Sequence, residues 1–470
     1  MNQLLFLSLF CSQICLAWGE VGHHLIARAA VEILRSHPAL HLTDGNETQT
    51  ESLNNFLRVF TSKQIQEGHL ANIPDTYWRS LDLGLEEAGD LLGSPTHYFD
   101  SEKILVLSKA VDLSTLKIPL NYQQVKKDFS SIHNLFTELG TLPWRAEQFT
   151  QLYSNALKAN PKVDCNNNKT AEVATRDITT YAGLLAHFTG DVTMPYHTSL
   201  DHDAISVGQK GIHGYFERDL VNELELSGLF GKVVTKAEKL LQSPTEVEST
   251  PSIIMLRQKA KENYPEKTSI QESTAVMMEV IRDSFSLIEK LRQLDYTYAI
   301  ASLEEAMKRA DCKGSEVVKE LATQFEKLET KEQRSVFEKV KVLSIPSGYQ
   351  IKKTTSACRR SPSTRVTIDG ELSKNGKTVA EWHEALIVNR LALSAALTAD
   401  IWVREWLRHQ RTNLCATFLY AHKPSFISPT DSNCFGYALE ESAKDFLKTN
   451  GKSVLPFQKI SSDQNNCVSF

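Results

Sequence analysis

Two pairs of imidazole and carboxylate side chains within 31 residues constrain this chain more than any other sequence feature. His187 and Asp191 are four residues apart in a segment with a helical pattern, and so are His213 and Glu217. Residues with this spacing project from the same face of a helix, so each pair can offer two ligand atoms to one point. Imidazole nitrogen and carboxylate oxygen together suit Zn²⁺. The two pairs predict a metal site, although one such pair alone is also an ordinary surface pair.

Further candidate ligands lie on both sides of the first pair. Pro195 is expected to end or kink the helix that carries His187, which places His197 on the following turn. Upstream, Asp75 follows Pro74, and His97 lies in the segment THYFD. Each of these residues alone is unremarkable.

The N-terminus predicts export. Residues 4–10 are almost entirely apolar, and the run is too short to span a bilayer. Cys15 and Ala17 provide small residues at −3 and −1, so residues 1–17 are interpreted as a signal peptide that is cleaved before Trp18. A buried N-terminal helix is the alternative. Cleavage there would give Trp18 a free amine, which with its carbonyl can chelate a metal near His23; otherwise His23 is a polar residue at the start of a helix.

Composition agrees with an exported, folded protein. The chain has 470 residues, 52 basic against 57 acidic residues and 41% hydrophobic residues, which excludes a disordered or collagen-like chain. A net charge of −5 does not support nucleic-acid binding through a broad positive surface. An even number of cysteines after the predicted cleavage fits three disulfides with open pairing; they are Cys165, Cys312, Cys358, Cys415, Cys434 and Cys467.

Helical periodicity dominates the chain, so a mainly α fold is expected. The helical patterns cover 21–35, 53–70, 145–160, 171–190, 214–242 and 379–410. The last is one long, strongly apolar helix, whose tryptophans we interpret as core residues. Residues 243–375 carry charged helical stretches and a basic loop near 352–365. No later run reaches about 18 uninterrupted apolar residues, so a soluble mature chain is expected.

The order of these motifs resembles the zinc-dependent phospholipase C/P1 nuclease superfamily. The resemblance rests on WGEVGH after a leader, a Pro-Asp loop, THY, HFTGDVTMPYH and HGYFE, and it covers about residues 18–220. It implies a mainly helical fold that binds three zinc ions in a cleft. The helix at 379–410 would close the catalytic core. The implied division is 1–17 signal peptide, 18–242 zinc-binding core, 243–375 helical insertion, 376–410 closing helix and 411–470 C-terminal extension.

The resemblance also implies a ligand set. His97, His187 and Asp191 would bind the first zinc ion, with Asp75 as a further ligand or the general base. Trp18, His23 and a bridging Asp191 would bind the second. The third would be bound by His197, His213 and Glu217. Such ions activate water for attack on a phosphodiester.

The superfamily contains enzymes for two substrate classes. Glu217 and its surroundings resemble the phospholipase C branch, whereas WGEVGH resembles the nuclease branch. We expect a secreted or periplasmic phospholipase C that touches membrane surfaces transiently and has no stable protein partner. An S1/P1-type single-strand nuclease or 3′-nucleotidase is one alternative. A non-catalytic exported zinc-binding protein is the other.

Overall fold

The structure is a computed structural model, and it describes a large part of the chain. The described residues are 18–36, 60, 65, 68–78, 93–110, 112–132, 135–159, 168–204, 212–268, 271–294, 350–354, 357–361 and 379–409. The predicted signal peptide and C-terminal extension lie outside them. The predicted disulfides also lie outside the described residues. Among their six cysteines only Cys358 belongs to a described element, and its side chain is not described. These expectations stay predictions.

The described chain is mainly helical, as expected from the periodicity. Its helices are α1 (Gly19–Ser36), α2 (His69–Ile73), α3 (Ser101–Ser108), α4 (Tyr122–Asp128), α5 (Leu135–Leu139), α6 (Leu142–Ala159), α7 (Asn168–Thr193), α8 (Ile212–Gly214), α9 (Leu220–Glu225), α10 (Leu229–Gln242), α11 (Ile253–Asn263), α12 (Glu272–Ser286) and α13 (Val379–Arg408). Short 3₁₀ turns cover Ser94–Thr96, Leu113–Thr115 and Pro195–Thr198, and π-helical turns cover Pro74–Trp78 and Tyr215–Asp219.

Two short strands lie where a basic loop was expected. Strands β1 (Gln350–Thr354) and β2 (Ala357–Ser361) pair antiparallel, with Ile351 opposite Arg360 and Thr354 opposite Ala357. Two residues separate the strands, which is the shortest common hairpin connection. Charge content indicated a loop here, but the backbone ladder of a hairpin does not depend on the polarity of its side chains.

Helix α7 lies at the centre of the described core. Its apolar residues Leu184, Leu185, Phe188 and Val192 are buried, and it packs against α1, α2, α6 and α13. Thr189 on α7 and Thr398 on α13 are joined by a hydrogen bond of 2.6 Å between their hydroxyls. This internal position fixes the direction in which the face of α7 that carries His187 and Asp191 points.

Helix α13 confirms the long apolar helix expected near the C-terminal end. It is long and apolar enough to cross a membrane, but most of it is buried against other helices. Trp402 and Trp406 are fully buried, and Trp402 Nε1 donates to the carbonyl of Ala182 at 3.1 Å. These contacts account for the apolar composition of α13 as a core helix.

Two glycines let neighbouring helices approach α7 closely. A Cβ atom on Gly183 would lie 2.3 Å from Leu70 Cβ on α2, and one on Gly190 would lie 2.8 Å from His23 Cε1 on α1. Both distances are shorter than real Cβ contacts, so any larger residue would force its neighbour to shift. The glycines therefore bring α1 and α2 against the face of α7 that carries His187 and Asp191.

The C-terminal end of α7 is held by polar groups from later elements. Arg390 on α13 donates from Nε to the carbonyl of Thr193 at 2.8 Å and also pairs with Asp283. Ser284 Oγ on α12 donates to the carbonyl of Val192 at 2.7 Å. These bonds satisfy the carbonyls that a helix end leaves open. Helix α12, near the start of the predicted 243–375 insertion, thus packs on the core. The position of the end of the insertion, at residue 375, stays a prediction.

Candidate metal centre

The predicted site residues come from five separate stretches of chain that meet at α7. Helix α7 supplies His187 and Asp191, and the 3₁₀ turn that begins at Pro195 supplies His197. The other contributions are Trp18 and His23 at the start of α1, Asp75 in the first π-helical turn, His97 after a 3₁₀ turn, and His213 and Glu217 at α8 and the second π-helical turn. All nine residues are buried.

The first group of ligand atoms consists of His97, His187 and Asp191. His97 Nδ1 lies 3.0 Å from Asp191 Oδ2 and 3.0 Å from His187 Nε2, and His187 Nε2 lies 3.2 Å from the same carboxylate oxygen. The three atoms form a nearly equilateral triangle. One cation of the right size can contact all three.

A backbone carbonyl fixes the orientation of His187. Its Nδ1 lies 2.7 Å from the carbonyl oxygen of Ala71 on α2. A carbonyl oxygen only accepts, so Nδ1 must carry the proton and donate it. The lone pair of a neutral His187 is then on Nε2, the atom that faces His97 and Asp191. Metal-binding histidines commonly have a partner of this kind.

A second group consists of His23, Asp75 and His187. His23 Nε2 lies 3.7 Å from Asp75 Oδ2 and 3.6 Å from Asp191 Oδ1. The rings of His23 and His187 stack with centroids 4.0 Å apart. Asp75 Oδ1 also lies 3.6 Å from His97 Nδ1, so this carboxylate borders both groups.

The third group consists of His197, His213 and Glu217, the three residues that the resemblance assigns to one ion. His213 Nε2 lies 2.9 Å and His197 Nε2 lies 3.8 Å from Glu217 Oε2. The backbone nitrogen of Trp18 lies 3.1 Å from the same oxygen. The Trp18 carbonyl accepts a hydrogen bond from the backbone nitrogen of Gly22 at 3.1 Å. The Trp18 nitrogen thus lies beside Glu217, on the side of the third group.

Asp191 connects the groups. Its Oδ2 faces His97 and His187, while its Oδ1 lies 3.6 Å from His23 Nε2 and 3.6 Å from His197 Nδ1. One carboxylate therefore reaches imidazoles of all three groups. The two oxygens of Asp191 thus face donors of different groups, and the bridging role that the resemblance implies stays a prediction.

Charge also favours a bound cation here. Asp191 and Glu217 are fully buried and Asp75 is nearly so. Burying a carboxylate is costly unless positive charge lies close to it. Imidazoles surround these carboxylates, and neutral imidazole offers lone pairs rather than charge. A divalent cation between the imidazole and carboxylate groups would offset that cost.

Two further carboxylates hold the described residues that follow His197 and the backbone of His213. Glu102 on α3 accepts hydrogen bonds from the Ser199 hydroxyl and from the backbone nitrogen of Leu200, the latter at 2.8 Å. Asp203 Oδ1 accepts from the backbone nitrogen of His213 at 3.3 Å. Burial raises the pKa of Glu102, while these hydrogen bonds act in the opposite direction. Glu102 and Asp203 thus position the third group without belonging to it.

Gly190 offers a direct test of the packing that places His23. We expect Gly190→Ala to push His23 aside and to weaken divalent-metal binding about 10- to 100-fold, since supporting residues of metal sites have effects of this size. Overpacking should also lower the stability by about 1–3 kcal/mol. Zinc titration and thermal unfolding measure the two effects.

The matched control is Gly231→Ala on α10, where nothing lies within 4 Å of the new Cβ. This variant should gain about 0.5–1 kcal/mol of stability, because alanine is the better helix former. Metal binding should not change in the control. Unaltered metal binding in Gly190→Ala would mean that His23 is not a ligand.

Sequence reasoning missed the supporting groups. The Ala71 carbonyl and Glu102 have no sequence signature, since a backbone carbonyl or a single acidic residue is too common to single out. Arg145 on α6 was missed too, although it lies close to the site. The only available signal for Asp75 was its position after Pro74.

No protein-family model, curated protein or solved structure matches this chain.

Proposed function

We propose that this chain is an exported zinc-dependent phosphodiesterase of the phospholipase C type, which hydrolyses a phospholipid to diacylglycerol and a phosphorylated headgroup. The observation that carries the proposal is the shared carboxylate of Asp191. It lies within 3.6 Å of imidazole nitrogens from three adjoining donor groups. Closely spaced metal ions that share a ligand are typical of phosphoester hydrolases.

The donor set fits zinc. Nitrogen and oxygen ligands of tetrahedral zinc lie about 2.0–2.2 Å from the ion, so they lie about 3.3–3.6 Å from one another. The atoms of His97, His187 and Asp191 are 3.0–3.2 Å apart. The same three residues would hold one ion, and His197, His213 and Glu217 would hold another. His23 with Asp191 would hold a further ion, to which the resemblance also assigns the Trp18 amine, although that nitrogen lies 3.1 Å from Glu217 Oε2. Bound zinc supplies Lewis acidity and lowers the pKa of water.

Asp75 is the proposed general base. It lies between His23 and His97, at 3.7 and 3.6 Å, and it is nearly inaccessible to bulk solvent. We propose that its carboxylate orients the attacking water and accepts its proton. The water oxygen forms a bond to phosphorus, the bond from phosphorus to the glycerol oxygen breaks, and the glycerol oxygen takes up a proton.

Features of the described residues favour lipid over nucleic acid. Trp78, Phe149 and Phe188 stack on one another beside the site, with centroid distances of 5.8 and 5.1 Å. The Arg145 guanidinium lies over all three rings, so they do not form a free platform on which a base could stack. The net charge of −5 gives no general attraction for a polyanion.

The decisive experiment compares substrates with and without metal. Purified chain that begins at Trp18 should release diacylglycerol from short-chain phosphatidylcholine and phosphatidylserine. A chelator should abolish the release, and added zinc should restore it. Single-stranded DNA should be a poor substrate. Preferential DNA hydrolysis would make the protein a nuclease. Zinc binding without any phosphodiester hydrolysis would make it a non-catalytic binding protein.

A further inference from the structure

Arg145 differs from the other buried arginines among the described residues. Those are Arg282, which pairs with Glu279, and Arg390, which pairs with Asp283. A buried charge usually has such a partner, because an uncompensated charge is costly to bury. Arg145 donates from Nη1 to Gln148, while its buried Nε has no hydrogen-bond partner among the described residues. None of the carboxylates among the described residues forms an ion pair with Arg145.

Aromatic rings surround the Arg145 guanidinium without neutralising it. Its Cζ atom lies 5.7 Å from the ring centroid of Trp78, 5.0 Å from that of Phe149 and 5.9 Å from that of Phe188. Aromatic faces attract a cation but carry no net charge. Burial accordingly lowers the pKa of Arg145 to about 10, which still leaves it charged at neutral pH.

The position of Arg145 on its helix adds to the positive potential. It is the fourth residue of α6, in the first turn of an 18-residue helix. The helix dipole makes this end positive, so it disfavours a cation and favours an anion. A cation buried there lowers stability unless an anion binds next to it.

This positive site adjoins the candidate metal centre. Phe188 directly follows His187 in the chain, and its ring centroid lies 5.7 Å from that of His97. Trp78 ends the π-helical turn that carries Asp75. The ring of Phe188 therefore contacts both the Arg145 guanidinium and the imidazoles of His97 and His187.

We propose that Arg145 binds an anionic group in the headgroup of the phospholipid substrate and makes the enzyme selective for acidic headgroups, such as the serine carboxylate. The inference rests on the proposed function. Arginine forms paired hydrogen bonds with carboxylates and phosphates. Choline binds to aromatic faces in many proteins, but here the Arg145 guanidinium already lies over the rings of Trp78, Phe149 and Phe188.

The test uses two soluble lipids that differ in headgroup charge, dihexanoylphosphatidylserine and dihexanoylphosphatidylcholine. In Arg145→Met, kcat/KM for the serine lipid should fall about 10- to 100-fold, as expected when a charge-assisted hydrogen bond is lost. The value of kcat/KM for the choline lipid should change less than about threefold, within the range of a modest packing effect. For Arg145→Lys, kcat/KM for the serine lipid should lie between the values of wild type and Arg145→Met, because lysine keeps the charge and loses the paired geometry.

Arg282→Met is the matched control. It also removes a buried guanidinium from an aromatic face, but it leaves Glu279 without this partner. Its Tm should fall by several degrees with headgroup preference unchanged. The Tm of Arg145→Met should change less, since no described carboxylate loses an ion pair.

Equal losses on both lipids, or a drop in Tm with unchanged selectivity, would overturn the role of Arg145. A loss of activity in Arg145→Met that is confined to hydrolysis of single-stranded DNA would also overturn it. Calorimetry with O-phosphoserine and phosphocholine separates this inference from the proposed function. Wild type should bind O-phosphoserine more tightly than phosphocholine, even if it hydrolyses neither lipid. Arg145→Met should not show this difference in affinity. Equal binding of the two ligands by wild type would also overturn it.

Discussion

Asp191→Asn is expected to remove most of the bound zinc and to reduce phosphodiester hydrolysis by at least about 10²–10³-fold, which is the effect of losing one preorganised electrostatic group. The amide has nearly the shape of the carboxylate, but it is neutral and presents an NH₂ group on one side. Both carboxylate oxygens of Asp191 face imidazole nitrogens, within 3.0–3.6 Å. The substitution therefore affects more than one donor group.

Zinc content by elemental analysis and turnover of a short-chain phospholipid measure the two effects of Asp191→Asn. Asp177→Asn on the same helix is the control, because Asp177 is partly exposed and pairs with Arg176 at the surface. An exposed pair contributes about 0–1 kcal/mol, so this variant should keep wild-type zinc content and activity. Full activity in Asp191→Asn would refute a bridging role for Asp191.

One residue added before Trp18 is expected to lower zinc content by about one ion and hydrolysis by about 10- to 100-fold, while the fold stays intact. The Trp18 nitrogen lies 3.1 Å from Glu217 Oε2, inside the buried cluster. In an extended chain this nitrogen is a peptide N–H, which can donate to Glu217 but has no lone pair for a metal. A free amine offers that lone pair once it is deprotonated.

The experiment compares two preparations that differ by one alanine at the N-terminus. Both are released from a fusion by a protease, and mass spectrometry confirms their ends. Trp18 Nε1 donates to the Gly190 carbonyl at 2.8 Å, and this bond holds the indole in either preparation. Equal Tm values would show that folding is unaffected. Equal zinc content and equal rates would show that the amine is not a ligand.

The local half of the candidate site was predictable because it depends on helical spacing. His187 and Asp191 share one face of α7, and His213 and Glu217 share a turn, as spacing by four requires. The helix end before Pro195 was predictable for the same reason, since proline at that place lacks the N–H that would continue the helix. The fully buried tryptophans of α13 follow from its apolar composition.

The other half depends on contacts between distant segments. Asp75 and His97 lie about a hundred residues before Asp191, and no helical spacing to another donor distinguishes them; only the Pro-Asp and THY motifs of the resemblance implied them. Their position follows from the close approach of α2 to α7 at Gly183 and from the backbone bond between Phe99 N and the His197 carbonyl at 2.7 Å. Arg145 became notable only when burial showed a charge without a carboxylate partner among the described residues.

The sequence by itself determined the mainly helical class, the order of the donor residues and the two ligand pairs within α7 and the α8 turn, because side-chain spacing along a helix is a local property. The tertiary structure decided which donors meet. Two glycines set how closely α1 and α2 pack on α7, and this packing brings His23, Asp75 and His97 to the Asp191 carboxylate. Such distances depend on the summed packing of several helices, which spacing along one helix does not contain.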